Sequence, residues 1–417
     1  MNLLLVAYFY PPCRDTGAYR PAAMTKWLRR LGHRVTVLTT SAYGTGDEAT
    51  EEGVVRTGDL QRARARLRGH ERVDALFDSD AYSGRPHPLS RLIVPEPLLA
   101  AWAPFARRKA VRLARAQRFD CVVTSSPPES VHLVGRALSR RGVPWVVDLR
   151  DGWTFEPIRP PFPTAAQRRL DERLERRWLT AADAVVCVSQ PVADDLRARL
   201  GVDPRLVPNG WDPDSIAASR APGEARDLLD PDRASLVYTG RFGSYGRDPT
   251  PLVNAMADLA EQDPASAERL ELVVAGPLTD AEAELMKRDV APARIVTVGT
   301  MPRAQALALQ READALLLLA SPRRSQLLNF KLFEYLAAGK PVVALAAGTE
   351  AGRVAAELGG ETAPADDVPA IVRALRKVAQ GALEAPDPAA ADAYSYPATA
   401  ERMAEAMERA IARRSPH

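Results

Sequence analysis

Only three of the 417 residues are cysteine, Cys13, Cys121 and Cys187. Three thiols cannot build a disulfide framework, and their spacing matches no metal-ligand pattern, so a reducing, cytoplasmic setting is the expectation. No stretch approaches the roughly 18–20 apolar residues needed to cross a bilayer. The opening MNLLLVAYFYPP has neither the basic leader nor the small-residue cleavage site of a secretory signal, and reads instead as a buried strand halted at Pro11-Pro12. Histidine is scarce: His33, His70, His87, His132 and His417. None has a Cys, Asp or Glu neighbour at a zinc-binding spacing, so no metal is expected. The G-x-G-x-x-G turn of dinucleotide enzymes, the G-x-S-x-G elbow of hydrolases and the Walker A loop of ATPases are all missing, which removes the main support for each of those chemistries.

What remains is the composition of an ordinary globular protein, 46% hydrophobic and 26% charged. The length exceeds what one hydrophobic core usually supports, so two domains are expected. The formal net charge of +3 conceals a division. Residues 1–208 carry 33 Lys and Arg against 23 Asp and Glu, whereas the remainder carries 23 against 30. The near-neutral total gives no reason to expect a nucleic-acid partner.

Apolar runs and helical stretches alternate along the chain. Leu3–Tyr8, Val35–Thr39, Asp120–Thr124, Trp145–Asp148 and Ala184–Val188 read as strands, with a helix over Ala22–Leu31 ended by Gly32. After Pro208-Asn209-Gly210 the pattern restarts: strands at Ser235–Tyr238, Leu270–Ala275, Ile295–Val298, Ala315–Leu319 and Pro341–Leu345, and helices at Pro251–Gln262 and Lys331–Ala338. Ala398–Arg414 has helical periodicity. Such alternation predicts an α/β protein of two doubly wound parallel sheets, binding ligands at the carboxyl ends of their strands.

Four segments carry candidate chemistry, each with a plainer reading beside it. Gly17 precedes the first helix, where a backbone can approach an anion; it also serves as a turn glycine. Gly240 and Arg241 follow the restarted first strand and Arg247 comes six residues on; the two guanidinium groups suit phosphate oxygens, or are solvated loop arginines. In Gln326–Pro341 a loop leads into a helix whose first turn offers free N–H groups. There Lys331 adds a positive charge and Glu334 can accept from ribose hydroxyls, although the two also form an ordinary i,i+3 surface pair. At the end of the Trp145 strand, Asp148, Arg150 and Asp151 face the ligand end of a sheet, or form a local salt bridge.

These segments together resemble family-4 glycosyltransferases of the GT-B fold. The resemblance rests on YFYPPCRDTGAYRP, WVVDLRDGW, VPNGWD, YTGRF, VVAGP, VGTMPR and NFKLFEYLAAGKPVVAL, in the family's order and across most of the chain. It implies two Rossmann-like domains facing a central cleft. Residues 1–207 would bind the acceptor, residues 208–390 the nucleotide-sugar donor, and residues 391–417 would form a terminal helix packing back towards the first domain. It implies a retaining transferase moving a sugar from a nucleotide diphosphate to an acceptor hydroxyl, in bacterial cell-surface glycan, glycolipid or glycosylated-metabolite synthesis, without cofactor or metal. Arg241 and Arg247 would clamp the diphosphate, Arg247 standing where a Lys is usual. Glu334 would hold the ribose, and Val298 would contact the nucleobase through its backbone. Asn329, Phe330 and Lys331 would face sugar and phosphate through backbone N–H groups, with Gly240 and Gly17 completing the donor site. Two positions depart from the family: Gln326 replaces the first Glu of its Glu–seven residues–Glu motif, and Asp151 lies near where many relatives have an active-site His.

Trp102–Phe119 carries Arg107, Arg108, Lys109, Arg112, Arg115 and Arg118, and Arg62, Arg64, Arg66 and Arg68 form a second basic cluster. This surface suits an anionic membrane carrying a lipid-linked acceptor, which would place the protein peripherally on the inner face; the alternative is a solvated Arg-rich face. Competing functions are a GT-B epimerase or phosphorylase, and a catalytically weak nucleotide-sugar-binding partner subunit.

Overall fold

The computed structural model describes residues 1–13, 15–44, 52–67, 92–156, 161–218, 225–243, 246–326, 328 and 330–414. It divides into two compact units, Met1–Pro208 with Thr399–His417, and Asn209–Ala398.

The first unit is a seven-stranded sheet: β1 (Asn2–Ala7), β2 (Arg34–Thr40), β3 (Val54–Thr57), β4 (Cys121–Ser126), β5 (Trp145–Leu149), β6 (Ala184–Cys187) and β7 (Arg205–Leu206). Its order is β3-β2-β1-β4-β5-β6-β7, and every pairing is parallel. β1, β4 and β5 are buried almost throughout because central parallel strands are covered on both faces. On one side Trp102, Ala106, Val134, Leu138, Trp178 and Leu196 complete the core. The long closing helix Tyr396–Arg414 returns to this unit, where Arg414 donates to the Asp183 carboxylate at 2.6 Å.

The second unit repeats the plan with six strands: β8 (Ala234–Thr239), β9 (Leu270–Ala275), β10 (Arg294–Gly299), β11 (Ala315–Leu319), β12 (Val342–Leu345) and β13 (Glu361–Ala363). The order is β10-β9-β8-β11-β12-β13, again all parallel. Chain order runs outward in one direction from β8 to β10 and in the other from β11 to β13. The reversal lies between β8 and β11, and open α/β sheets bind ligands outside the strand ends at such a point. No helix among the described residues is long and apolar enough to cross a membrane.

Candidate functional site in the second sheet

The chain leaving β8 meets the helix Phe330–Ala338, which follows β11, on either side of that reversal. Gly240 takes φ +104°, a left-handed value that costs other residues about 1–2 kcal/mol. Space excludes a side chain as well: a Cβ there would stand 2.8 Å from both Cε and Nζ of Lys331. Glycine therefore lets the turn close onto the lysine. Tyr238 lies face to face with Phe242, ring centroids 4.1 Å apart, and donates its hydroxyl to the Arg241 carbonyl at 2.5 Å. These contacts fix the turn on which Arg241 and Arg247 are mounted.

Arg241 is exposed, and its guanidinium has no hydrogen bond or ion pair among the described residues. Arg247 is half-buried and donates from Nε to the Phe242 carbonyl at 3.1 Å. Lys331, the second residue of its helix, projects over the Tyr238 ring with Nζ 3.9 Å from the centroid. That nitrogen is sealed from solvent and has no hydrogen-bond partner among the described residues. Burial first, and then the neighbouring Arg247 charge, hold its pKa down at about 7, against a smaller opposing pull from Glu334. Glu334, one turn along, pairs with Arg303 at 2.7 Å.

Two buried links tie the helices to the end of β8. The Tyr335 hydroxyl accepts from the Thr239 N–H at 3.4 Å, and Gln310 Nε2 donates to Thr239 Oγ1 at 2.9 Å. The loop beyond is held from the β9 side, where the Glu282 carboxylate accepts from the Gly243 N–H at 2.8 Å. The register between β10 and β9 shifts between Thr297 and Gly299, so Val298 is the extra residue of a bulge on an edge strand. Bulges occur beside binding sites because they free backbone groups from the ladder.

The structure therefore gathers Gly240, Arg247, Lys331 and Glu334 around one turn, with Arg241 exposed on the same turn. Gln326 is 2% exposed, a buried residue with its own partners. Phe330 opens the helix and is half-buried, and Asn329 lies outside the described residues. Gly17 and Asp151 belong to the first unit. The Gly17 N–H donates to the Asp15 carboxylate at 2.7 Å, and its carbonyl accepts from Arg150. Arg150 is 9% exposed and also donates to the carbonyls of Ser126 at 3.0 Å and Pro127 at 2.5 Å.

Sequence reasoning does not single out Arg303 or Arg20. Arg20 is wholly buried, with Nε and Nη2 on the Asp148 carboxylate at 3.1 and 2.8 Å. One signal was available for it: a cation in a helix's first turn opposes the helix dipole, so its presence there implies a specific anion or carbonyl partner.

The basic helix forms over Ala103–Ala116 and contains no acidic residue. Arg107, Arg108, Arg112 and Arg115 are exposed along it, and Phe105 is 42% exposed. Of the second basic cluster, Arg68 and the side chains of Arg64 and Arg66 lie outside the described residues.

Two parallel doubly wound units, the second with a cation-lined turn at its switch point, define the GT-B glycosyltransferase class. Residues 22–215 match the model of Glycosyltransferase Family 4, and residues 233–380 match that of Glycosyl transferases group 1. The chain belongs to this family of glycosyltransferases. No curated protein sequence matches it. Among solved structures, the sucrose-phosphate synthase of Thermosynechococcus elongatus superposes with a TM-score of 0.64 at 17% identity, covering 99% of each chain. The α,α-trehalose 6-phosphate synthase of Burkholderia multivorans gives 0.64 at 16%, covering 100% of this chain and 99% of its own. Anabaena HepE, solved in complex with UDP, gives 0.58 at 15%, covering 98% and 99%. At such identities these likenesses establish the fold.

Proposed function

We propose that the protein is a retaining glycosyltransferase that takes a sugar from a nucleotide-diphosphate donor held by the second unit and passes it to an acceptor hydroxyl held by the first. The observation that carries this reading is the turn after β8, where Gly240 closes onto Lys331, Arg247 and Glu334 lie close enough to act on that lysine, and Arg241 is exposed on the same turn. Guanidinium groups match phosphate oxygens in pairs, and the start of the Phe330–Ala338 helix favours an anion. Glu334 presents a carboxylate to the ribose, and the Val298 bulge presents backbone to the base. HepE, with the same fold, is a UDP complex, which favours a nucleoside diphosphate here.

The chemistry assigned to this geometry is front-face substitution. The bond from the anomeric carbon to the diphosphate oxygen breaks as the acceptor oxygen bonds from the same side, and the acceptor proton passes to the departing diphosphate. Arg241 and Arg247 stabilise the charge that develops on the leaving group, so catalysis consists of positioning and electrostatics, without a resident metal or cofactor. Asp151 orients the acceptor. The exposed arginines and Phe105 of the acid-free helix suit an anionic bilayer on the cytoplasmic side, so a lipid-linked acceptor for cell-surface glycan or glycolipid synthesis is the reading for the first unit.

The test is release of nucleoside diphosphate from a panel of nucleotide sugars, with and without anionic vesicles. Release with one donor, raised by the vesicles and lowered about 10²-fold in Arg241→Ala with unchanged stability, is expected. Nucleotide binding without release from any donor would instead favour a partner subunit without turnover. Buried, neutral Gln326 is the observation behind that second reading, because it leaves no carboxylate at the first position of the family's acidic pair.

A further inference from the structure

Lys331 differs from the two arginines beside it. A guanidinium stays protonated wherever a protein places it, whereas an amine removed from water releases its proton readily. The described residues around it supply no hydrogen bond. Beneath Nζ is the Tyr238 ring, and against it is the backbone of Gly240. Arg247, on the loop leading to the Thr250–Gln262 helix, adds a like charge. On the lysine's own helix the near carboxylate is Glu334, which Arg303 of the neighbouring helix already holds; the Tyr335 hydroxyl is occupied by the Thr239 amide. Lys331 also stands in the first turn of its helix, where the dipole is positive. Among the described residues, the Tyr238 ring face and the more distant Glu334 favour an ammonium there.

We propose that Lys331 binds a proton from solvent together with the donor's diphosphate, so that donor binding is the joint uptake of one anion and one proton. The inference rests on the transferase reading for the identity of the anion. In the empty site the amine exchanges its proton with solvent near neutral pH, consistent with a pKa of about 7. A diphosphate beside Gly240 offsets the Arg247 repulsion through its own negative charge. The ammonium then forms and becomes the third cation of the clamp. Donor affinity should consequently weaken as pH rises above neutrality.

The chain has only six lysines: Lys26, Lys109, Lys287, Lys331, Lys340 and Lys377. Lysine labelled with 13C at Cε therefore gives six resolvable signals to titrate in the full-length protein. One is expected near neutrality, well below the ordinary lysine value of about 10.4. The low one should disappear in Lys331→Met; if that variant does not fold, single substitution of the other five lysines identifies it by elimination. Saturating UDP or inorganic pyrophosphate, with binding checked by calorimetry, should raise its midpoint by at least about 2 pH units. Six midpoints above about 9.5 in the free protein would overturn the proposal. So would a low midpoint that bound diphosphate leaves unmoved, or failure of both probes to bind. A shifting lysine in a protein that transfers no sugar keeps the proton linkage and removes the transferase reading; transfer with six ordinary lysines does the reverse.

Discussion

Each unit buries a cation at the second position of a helix, and the two are treated in opposite ways. Arg20 in the helix Tyr19–Arg30 is surrounded by acceptors: both oxygens of Asp148, and the carbonyls of Val207 and Pro208 at 2.8 Å each. Asp148 in turn accepts from the Ser125 hydroxyl at 2.7 Å. Lys331 has a ring face and, among the described residues, no acceptor. Desolvating a charge costs several kcal/mol, and only partners on the spot offset it. In the first unit the fold supplies them, so the cation is part of the structure. In the second it does not, and the site is left complementary to an anion from solution.

The harshest test of that contrast removes the satisfied cation. Arg20→Met leaves Asp148 buried without its partner, so the first unit should lose about 3–5 kcal/mol. Five of the six tryptophans, Trp27, Trp102, Trp145, Trp153 and Trp178, belong to this unit, so the fluorescence transition in urea reports on it. Replacing Asp148 by Leu as well should recover much of the loss, since neither charge is then stranded. A loss below about 1 kcal/mol in the single variant would mean that water reaches Asp148 and that the pair is not structural.

The same substitution in the second unit should act with the opposite sign. Lys331→Met removes an unsatisfied amine and should stabilise the ligand-free unit at pH 7, by on the order of 2 kcal/mol. The amine's pKa is lowered to about 7 in the folded chain from an ordinary 10.5. Between those values the unfolded chain binds more protons, so the wild type loses stability as pH falls from about 10.5 to about 7, and no more below that. The gap between variant and wild type should widen over that window and then stay constant. Urea titrations followed by circular dichroism at several pH values measure it. A variant less stable than wild type at every pH would show Lys331 to be a packing residue.

Much of the fold is legible because central parallel strands must be apolar on both faces. Leu270–Ala275 and Ala315–Leu319 are expected as strands and form with those bounds. Val54–Thr57, Arg205–Leu206 and Glu361–Ala363 show no comparable run: they are short strands at or next to a sheet edge and only partly buried. The site is legible where its residues share a segment, as Lys331 and Glu334 do. Partners distant in sequence are not. The local reading of Val146–Trp153 pairs Arg150 with a neighbouring carboxylate; in the structure Arg150 reaches three carbonyls, and Asp148 pairs with Arg20, 128 residues away. Arg303 escapes notice for the same reason, because what brings it to Glu334 is the packing of two helices that follow different strands.

Arg303 also offers the gentlest way to erase the difference between the units. Its pair with Glu334 is partly exposed, 47% on the arginine and 18% on the carboxylate, so its loss should change stability by no more than about 1 kcal/mol. Its effect on the neighbours should be more informative. While Arg303 holds Glu334, the carboxylate makes no hydrogen bond to the lysine one turn before it on the same helix. In Arg303→Ala the freed carboxylate can turn to Lys331, an i,i+3 contact, and give that ammonium the partner it lacks. Lys331 would then resemble Arg20: charged in the absence of ligand, with its low titration midpoint raised towards the ordinary value. The donor would have to compete for both groups, so its KM should rise about 3- to 10-fold while kcat stays nearly constant, the signature of lost binding common to ground and transition states. If the KM falls instead, Arg303 is a competitor for the ribose carboxylate rather than its support. If the KM rises while the lysine midpoint stays near neutrality, Arg303 contacts the donor directly and the satisfaction of Lys331 is decided elsewhere.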